Sequence, residues 1–389
     1  MNVPKLRFKE FTDEWKQTPL KNIIYSNIIE APKPTTDYIR LGIRSHCKGT
    51  FHELVKIENI LSADKMYIVP KNNLILNITF AWEQAIAITD DNDEGKYISN
   101  RFPTFAFKDN QLPTFYKYII PQKRLKYDLN VASPGGAGRN RVLNKKLFLS
   151  IPVNIPLLKE QEKIAKFLTT VDKKITNLEN TITSLENQKE GLLQQIFSQK
   201  LRFKDKNGNN YPNWEKKKLE DISNITMGQS PDSDFVNTEK IGTPFLQGNA
   251  EFTNKYPIEK YWCTKPQKIA NPTDILLSVR APVGAINIAN KKFCIGRGLS
   301  AISFNCNKLF GKYNLEFNLF QLIKKSQGST FSSINKKDIS EVILFIPCLE
   351  EQTKIADFLS AFDRKLDNQK AQLEHWKQIK KGLLQQMFV

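Results

Sequence analysis

A glycine-rich loop with closely spaced arginines is the stretch of this sequence best suited to contacting a polar surface. It runs Ser133-Pro134-Gly135-Gly136-Ala137-Gly138-Arg139-Asn140-Arg141. Glycine lets the backbone approach another surface closely, while arginine favours guanine edges and asparagine favours adenine edges through paired hydrogen bonds. We therefore predict that Gly136, Arg139, Asn140 and Arg141 contact DNA. A solvated turn whose arginines face phosphates would have the same composition, so both interpretations stay open.

Three further arginines are candidate contacts, and two of them, Arg280 and Arg297, are followed within a few residues by glycine. Arg280 lies in the phrase from Pro272 to Gly284, and Arg297 lies in Cys294-Ile295-Gly296-Arg297-Gly298. Arg101 occupies the position in the first half of the chain that echoes Arg297. Each guanidinium would either reach DNA or hold its own loop by pairing with an interior carboxylate. The second role is the favoured one for Arg297.

Hydroxyl and lysine side chains complete the candidate contacts. The segment 327–333 offers Ser329 and Thr330 at the place that corresponds to the glycine-rich loop, but it contains no arginine. Lys145 and its neighbour recur 191 residues later as Lys336 and Lys337. Because the same lysines occur in both halves, they cannot discriminate between sequences, and we expect them to contact phosphates.

Residue patterns for catalysis or metal binding are not found in the sequence. The five cysteines never approach CxxC spacing and the three histidines form no ligand pattern, so neither a zinc site nor a disulfide framework is supported. Asn271-Pro272-Thr273 lacks the second proline and the aromatic residue of a methyltransferase motif, and no glycine-rich cofactor loop follows a strand. We expect a non-catalytic chain that binds no cofactor. With no apolar leader and no long apolar run, we also expect a cytoplasmic protein with no membrane partner.

A heptad seam is the element that must position these candidates. From residue 160 to residue 199 the apolar residues alternate steps of three and four, interrupted at Lys189, which predicts a long helix packed lengthwise on another helix. The pattern returns 191 residues later with its own interruption at Lys380. Gly191 and Gly382 break good helix at matched positions, which suggests a close contact or a bend. The seam positions singled out for packing are Ile164, Leu168, Ile175, Leu185, Ile355, Leu359, Leu366 and Trp376.

The duplication predicts four segments in the order arm, helix, arm, helix. We place a first arm at residues 1–156, a first helix at 157–199, a second arm at 200–347 and a second helix at 348–389. Short β-rich runs followed by a helix (residues 112–120 and 314–325) make each arm mixed α/β, so the fold class is α+β with a pseudo-two-fold internal repeat. Lys200-Leu201-Arg202-Phe203 follows the first helix and Lys5-Leu6-Arg7-Phe8 opens the chain. This circular logic predicts an antiparallel coiled coil with the chain ends beside the first arm.

The excess positive charge lies in the arms. Of the formal net charge of +18, residues 1–159 carry 24 basic and 15 acidic side chains (+9), and residues 200–349 carry 22 and 13 (+9). The helical segments 160–199 (5 basic, 6 acidic) and 350–389 (7 basic, 6 acidic) are nearly neutral. Two matched basic arms on a neutral rod indicate a protein that holds a polyanion at two places, with nucleic acid as the default. A lysine-rich composition bias that serves solubility stays open as the alternative, although a bias alone would not spare the helices.

The duplicated phrase EQ-x-KIA-x-FL, its GLLQQ ending and the two arginine phrases resemble the specificity subunit of type I restriction-modification systems. The resemblance implies two target recognition domains, each reading half of a split duplex DNA site in the major groove. It also implies that the helices dock two methylation subunits, which bind S-adenosylmethionine, and that restriction subunits join that core. Two alternatives stay open: an RNA-binding or structural coiled-coil scaffold, and a self-contained DNA-modifying enzyme with unfamiliar motifs.

Overall fold

In the computed structural model of the protein, residues 3–59, 65–135, 141–253, 256–327 and 333–389 are described. The chain forms two compact units that do not follow the chain order. The first unit comprises residues 1–179 together with residues 372–389, and the second comprises residues 180–371. Each unit therefore combines one arm with a part of both long helices.

The first arm contains three sheets and three short helices. Its strands are β1 (Lys16–Pro19), β2 (Ile24–Ser26), β3 (Ile29–Ala31), β4 (Tyr38–Ile43), β5 (Thr50–Val55), β6 (Met66–Ile68), β7 (Leu74–Leu76), β8 (Ile86–Ile88), β9 (Tyr97–Ile98), β10 (Thr104–Phe107) and β11 (Pro152–Ile155). They pair as β1-β11, as β2-β10-β7-β8 and as β3-β6-β9-β4-β5. The helices are α1 (Pro113–Ile119), α2 (Lys123–Val131) and α3 (Lys145–Ser150), and the first long helix is α4 (Leu158–Phe197).

The second arm repeats this plan. Its strands are β12 (Glu215–Lys218), β13 (Ser223–Met227), β14 (Val236–Asn237), β15 (Thr243–Leu246), β16 (Tyr261–Cys263), β17 (Ile269–Ala270), β18 (Ile275–Ser278), β19 (Ile286–Ile288), β20 (Phe293–Ile295), β21 (Leu299–Phe304) and β22 (Ile343–Ile346). They pair as β12-β22, as β13-β21-β18-β19 and as β14-β16-β15-β20-β17. The helices are α5 (Leu219–Ile222), α6 (Lys308–Asn318), α7 (Phe320–Gln327) and α8 (Lys336–Ser340), and the second long helix is α9 (Leu349–Gln386).

Matched strands in the two arms carry the same hydrophobic pattern. Strands β7 and β18 are fully buried inside their four-stranded sheets. Leu74 and Leu76 belong to the core that also contains α1 and the long helices, whereas Ile75 faces a separate core with the five-stranded sheet. A strand buried on both faces needs an unbroken apolar run, which explains why no polar residue alternates within it. The mixed α/β arms predicted from the sequence are confirmed.

The five-stranded sheets share four strands and differ at their edges. In the first arm β4 and β9 run parallel, and in the second β15 and β20 do so at the same place in the order. The remaining strand, β3, lies beside β6 in the first arm, whereas β14 lies beside β16 in the second. The middles of the arms, which echo each other only weakly in sequence, therefore have a common framework with an edge strand added on opposite sides.

One helix prediction is wrong in detail. The helix expected over residues 314–325 is divided at Leu319 into α6 and α7. At the end of α6 the Asn318 side chain donates to the Asn314 carbonyl and to its side-chain oxygen, each at 2.9 Å. Asparagine side chains compete in this way with the backbone hydrogen bonds of a helix.

The long helices are antiparallel within each unit. In the first unit Asp172 of α4 pairs with Lys380 of α9 at 2.7 Å, and Glu179 pairs with Lys377 at 2.8 Å. In the second unit Glu186 pairs with Lys370 and Lys189 with Asp363, at 2.7 and 2.5 Å. In both units the numbers rise along α4 while they fall along α9, so the predicted antiparallel coiled coil is confirmed. The lysines that interrupt the seam are both ion-paired across it.

Most of the predicted seam residues are buried. Those below a tenth exposed are Ile164, Leu168, Ile175, Leu185, Ile355, Leu359 and Leu366. Trp376 is only partly buried. A β-carbon added at Gly191 or at Gly382 would meet no other atom of the described chain within 4 Å. These glycines therefore do not accommodate a close contact with another described part of this chain.

A buried glutamate at the start of each long helix anchors the segment that leads into each arm. The Glu160 carboxylate, on a residue 2% exposed, accepts hydrogen bonds from Nε and Nη2 of Arg7, each at 2.8 Å, and from the Trp15 indole N–H at 3.3 Å. Glu351, fully buried, accepts from Arg202 at 3.1 and 2.7 Å and from the Trp214 indole at 3.0 Å. Hydrogen bonding to the glutamate raises the pKa of both arginines above the ordinary value, so they stay charged.

The chain ends lie where the circular repeat requires them. The Leu6 amide donates to the Gln386 carbonyl at 2.9 Å, as the Leu201 amide donates to the Gln195 carbonyl at 3.0 Å. The ring of Phe388 packs on Trp15 and Phe115. Phe197 packs in the same way on Trp214 and Phe310. The end of α9 therefore leads into the first arm as the end of α4 leads into the second.

Replacing Glu351 with alanine should lower the free energy of unfolding of the second unit by about 3 kcal/mol, because Arg202 and Trp214 would lose their buried acceptor. Glu160→Ala should have a similar effect on the first unit. The control is Glu186→Ala, whose ion pair with Lys370 is largely exposed on both sides and should contribute at most about a few tenths of a kcal/mol. Urea unfolding followed by tryptophan fluorescence measures all three. Equal small shifts would contradict this account of the anchor.

A circular permutant should fold. We expect a chain that joins residue 389 to residue 1 through a short flexible linker, and that reopens between Gln199 and Lys200, to keep a cooperative unfolding transition, because the joined ends lie close together. The control carries the same linker but opens inside α4 between Leu178 and Glu179, where it interrupts helical hydrogen bonds. Urea titration and circular dichroism compare the two. A permutant as disrupted as this control would contradict the predicted closeness of the ends.

Candidate nucleic-acid interface

Two segments that carry predicted contacts meet at one backbone position in the loop after β7 of the first arm. The Ile78 amide donates to the Arg101 carbonyl at 3.0 Å, and the Ile78 carbonyl accepts from the Leu143 amide at 2.8 Å. The loop after β7, the loop before β10 and the segment leading to α3 are thereby joined side by side. Sequence separation had not indicated that these segments would converge.

The second arm repeats the junction. The Val279 amide donates to the Gly298 carbonyl at 3.0 Å, and the Val279 carbonyl accepts from the Ile334 amide at 3.0 Å. Next to it, Arg280 and Ser333 form an isolated β-bridge. The predicted candidates Arg280 and Arg297 therefore lie around one junction, and Ser333 brings the end of the segment that contains Ser329 and Thr330 to the same place.

The registers correct one sequence correspondence. Gly298, and not Arg297, is the counterpart of Arg101, because each accepts the hydrogen bond of the equivalent junction residue. A β-carbon on Gly298 would lie 2.7 Å from the Gln247 carbonyl oxygen, so a side chain has no room there. A β-carbon on Gly296 would lie 2.9 Å from the Gln247 side-chain oxygen and 3.0 Å from the Gln247 carbonyl oxygen. The arginine between the two glycines is therefore displaced by one position relative to the first arm.

The arginines at these junctions are open to solvent. The side chains of Arg101, Arg280 and Arg297 are exposed. Within the described ranges none of the three makes a side-chain hydrogen bond or an ion pair. The interior carboxylate expected to hold Arg297 is therefore not found among the described residues. Unpaired guanidinium groups on a positively charged arm are suited to binding phosphates or guanine edges.

The backbone that presents Arg280 is held by a buried hydroxyl. Ser278, 1% exposed, lies with its Oγ 3.0 Å from the Arg280 carbonyl and 2.9 Å from the Pro282 carbonyl. The amide of Gly284, whose φ of +95° suits glycine, donates to the Ser278 carbonyl at 3.0 Å. Arg280 therefore stands on a fixed loop, which lowers the entropic cost of placing its side chain on a partner.

Arg141 is engaged inside the first arm. Its guanidinium donates to the Ser133 carbonyl at 3.0 Å and to the Asn130 carbonyl at 2.8 Å, and lies 5.2 Å from the centre of the Trp82 ring. The Trp82 indole N–H donates a hydrogen bond to the Thr79 carbonyl at 3.1 Å. These contacts tie the two ends of the glycine-rich loop to α2 and to the loop after β7. The prediction that Arg141 also contacts DNA stays a prediction.

Several predicted contacts cannot be placed. Gly136, Arg139, Asn140, Ser329 and Thr330 lie outside the described residues. The lysines that recur in both arms are described: Lys145, Lys336 and Lys337 are exposed in the first turns of α3 and α8. Both helices begin with an asparagine whose side chain caps the backbone. The duplicated Asn-Lys-Lys phrase thus presents exposed lysines after equivalent junctions.

The described residues contain no cluster of histidine, cysteine and carboxylate side chains that could hold a metal ion. Burial raises the pKa of the Cys47 and Cys306 thiols to about 11, so neither is a nucleophile at neutral pH. No described helix is long and apolar enough to cross a bilayer.

Comparison with known proteins finds the same domain twice in this chain. The type I restriction modification DNA specificity domain matches residues 17–187 and again residues 211–375. A putative type I restriction enzyme specificity subunit of Methanocaldococcus jannaschii, MjaX, is 36% identical over 98% of this chain and 95% of its own length. The chain belongs to the specificity subunits of type I restriction-modification systems.

Solved structures agree with this specificity subunit in fold. A chain from a structure concerned with complex assembly and conformational transition of the type I restriction-modification system has a TM-score of 0.59 and 25% identity, over 95% of this chain and 96% of the other. The type I specificity subunit from M. genitalium reaches a TM-score of 0.65 at 15% identity, over 100% and 99% of the two chains, which speaks for the fold alone.

Alanine substitutions should separate contact residues from loop anchors in this specificity subunit. Arg280→Ala should leave stability unchanged and weaken DNA binding of the assembled complex by about 1 to 3 kcal/mol if the guanidinium contacts a base, with one half-site relaxed. Arg141→Ala should instead lower the stability of the first unit by about 1 to 2 kcal/mol, because two hydrogen bonds and a ring contact are lost.

Fluorescence anisotropy on matched duplexes and urea unfolding measure the two effects. Equal weakening by Arg280→Ala on all duplexes would mean that this arginine contacts only phosphates. An unchanged stability of Arg141→Ala would remove its role as an anchor.

Proposed function

We propose that each arm of this specificity subunit reads one half of a split site in duplex DNA, through side chains gathered at its backbone junction. The observation that carries this proposal is that one junction geometry recurs with different residues. Thr79 is the residue after the junction in the first arm, and Arg280 is its counterpart in the second arm. Arg101 of the first arm corresponds to Gly298 of the second arm. A shared framework that presents different side chains is suited to reading two different short sequences.

The major groove of duplex DNA fits these side chains best. Arginine and asparagine discriminate bases through edges that are exposed in that groove, whereas the narrow major groove of an RNA helix excludes side chains. The exposed lysines at the starts of α3 and α8 supply phosphate contacts that both half-sites have in common. The excess charge of +9 in residues 1–159, and again in residues 200–349, adds an attraction that should decrease steeply with salt.

The long helices set the spacing between the two half-sites in this proposal. The seam from Ile164 to Ile196 spans 32 residue steps, or about 48 Å at 1.5 Å per residue. At about 3.4 Å per base pair this corresponds to roughly 14 base pairs. We infer a target with two read segments more than one helical turn apart and an unread gap between them.

Catalysis belongs to partner subunits in this proposal. The helix pair docks two methylation subunits, which bind S-adenosylmethionine, and restriction subunits join the assembly where the host encodes them. The space around Gly191 and Gly382, at equivalent positions of the two helices, offers room for a close approach by such a partner. The specificity subunit itself is a non-catalytic cytoplasmic component.

Methylation mapping tests the proposal. The specificity subunit assembled with its methylation subunit should methylate a site with two short fixed segments and a gap of fixed length and variable sequence. The methylation subunit alone and the specificity subunit alone are the controls, and neither should mark that site. A single short contiguous site would contradict two-arm reading, and methylation by the specificity subunit alone would contradict a non-catalytic role.

A further inference from the structure

The lysines that interrupt the heptad seam take part in a three-way contact with the arms. In the second unit, Asp363 of α9 pairs with Lys189 of α4 and accepts a hydrogen bond from the Tyr313 hydroxyl of α6 at 2.6 Å. Lys189 Nζ also lies 5.3 Å from the centre of the Tyr313 ring. One carboxylate therefore links the arm, the helix that follows it and the antiparallel partner helix.

The first unit contains the same arrangement with the helices exchanged. Asp172 of α4 pairs with Lys380 of α9 at 2.7 Å and accepts from the Tyr118 hydroxyl of α1 at 2.9 Å. Burial raises the pKa of both tyrosines well above the ordinary value, so the hydroxyls stay protonated and donate. The two sets, Tyr118–Asp172–Lys380 and Tyr313–Asp363–Lys189, are called the clamps below.

Each clamp lies at the same distance from the buried anchor of its arm. From Glu160 to Asp172, and from Glu351 to Asp363, the helix advances 12 residues, or about 18 Å. The anchor and the clamp therefore hold each arm to its helices at two separated points. Together with the apolar core that joins each arm to its helices, these two polar contacts fix the angle of the arm along the helix axis.

We propose that the clamps are positioning devices that set the angle of each arm on the helix pair, and with it the length of the unread DNA gap that the subunit accepts. This inference rests on the split-site function proposed above. Seam positions normally hold apolar residues because polar ones cost stability. A lysine retained at the equivalent seam position of both helices, each paired with the aspartate that the arm tyrosine contacts, accords with a positioning role.

A positioning role and a plain stabilising role predict different results. If the clamps only stabilise the fold, any equally strong ion pair between the long helices should be interchangeable with them. The pairs Lys370–Glu186 and Lys377–Glu179 provide this control, because each is an ion pair that links α4 to α9 within one unit. The double variant Lys370→Met with Lys377→Met therefore removes cross-helix pairs and leaves the contacts of the arm tyrosines in place.

The first experiment measures gap tolerance. Methylation rates of the assembled complex are compared on duplexes that carry the mapped half-sites at the preferred gap and at gaps one or two base pairs shorter or longer. Tyr118→Phe with Tyr313→Phe, which removes only two hydroxyls, should reduce the discrimination between gap lengths by about tenfold while the half-sites stay the same, as the loss of hydrogen bonds to charged groups would produce. The lysine control should keep the parent preference.

Two results would overturn the inference. If the tyrosine variant keeps the gap preference of the parent protein, the clamps only stabilise the fold. If the variant reads altered half-sites, the clamps act on the DNA-reading loops and not on the angle of the arm. Urea unfolding of each variant accompanies the assay, so that a loss of folding is not mistaken for a loss of discrimination.

A second experiment requires no DNA and keeps the inference separable from the proposed function. Spin labels at Lys292→Cys in the second arm and Lys365→Cys on α9, both exposed and within one unit, report the arm angle as a distance distribution. The partly exposed Cys47, Cys306 and Cys348 are first replaced by serine. Tyr313→Phe should broaden the distribution and the Lys370→Met control should not. An unchanged width of the distance distribution would overturn the positioning role of the clamp, even if the split-site function were established.

Discussion

A buried carboxylate at the start of each long helix is the interaction on which the rest of the structure depends. Glu160 and Glu351 have almost no contact with water, yet each satisfies an arginine and an indole from the segment that enters an arm. An unpaired carboxylate at this depth would be strongly unfavourable, so the helix and the arm segment must be assembled together. Around this contact the apolar cores join each arm to its helices.

Repeats in the sequence were sufficient to predict the plan of the molecule. The 191-residue offset of the seam, and the return of Lys-Leu-Arg-Phe after the first helix, depend on local periodicity and literal repetition, which are legible without coordinates. The antiparallel helices and the contact of Phe388 with the first arm follow from that logic. The division of the helix at Leu319 did not, because it depends on the side-chain bonds between Asn314 and Asn318.

The candidate interface was predicted less completely, for a physical reason. Residue type indicated that Arg101, Arg280 and Arg297 have suitable chemistry, but their meeting around Ile78 and Val279 depends on hydrogen bonds between segments far apart in sequence. The correspondence of Arg101 with Arg297 also failed by one position, since steric exclusion at Gly298 is visible only in three dimensions. Charge and composition identify what a side chain can bind, while the register of distant strands decides where it stands.

The closing of the first unit by residues 372–389 has a consequence for biosynthesis. Trp15 and Phe115 are translated early, but Phe388, whose ring packs on them, is translated only after the whole second arm. A nascent first arm therefore exposes aromatic surface throughout synthesis of the second arm, which can complete its own helix contacts sooner. Exposed apolar surface of this kind is what chaperones bind and what drives aggregation. The order of translation therefore leaves aromatic surface of the first arm exposed for longer than that of the second arm, although the two arms are nearly equivalent in structure.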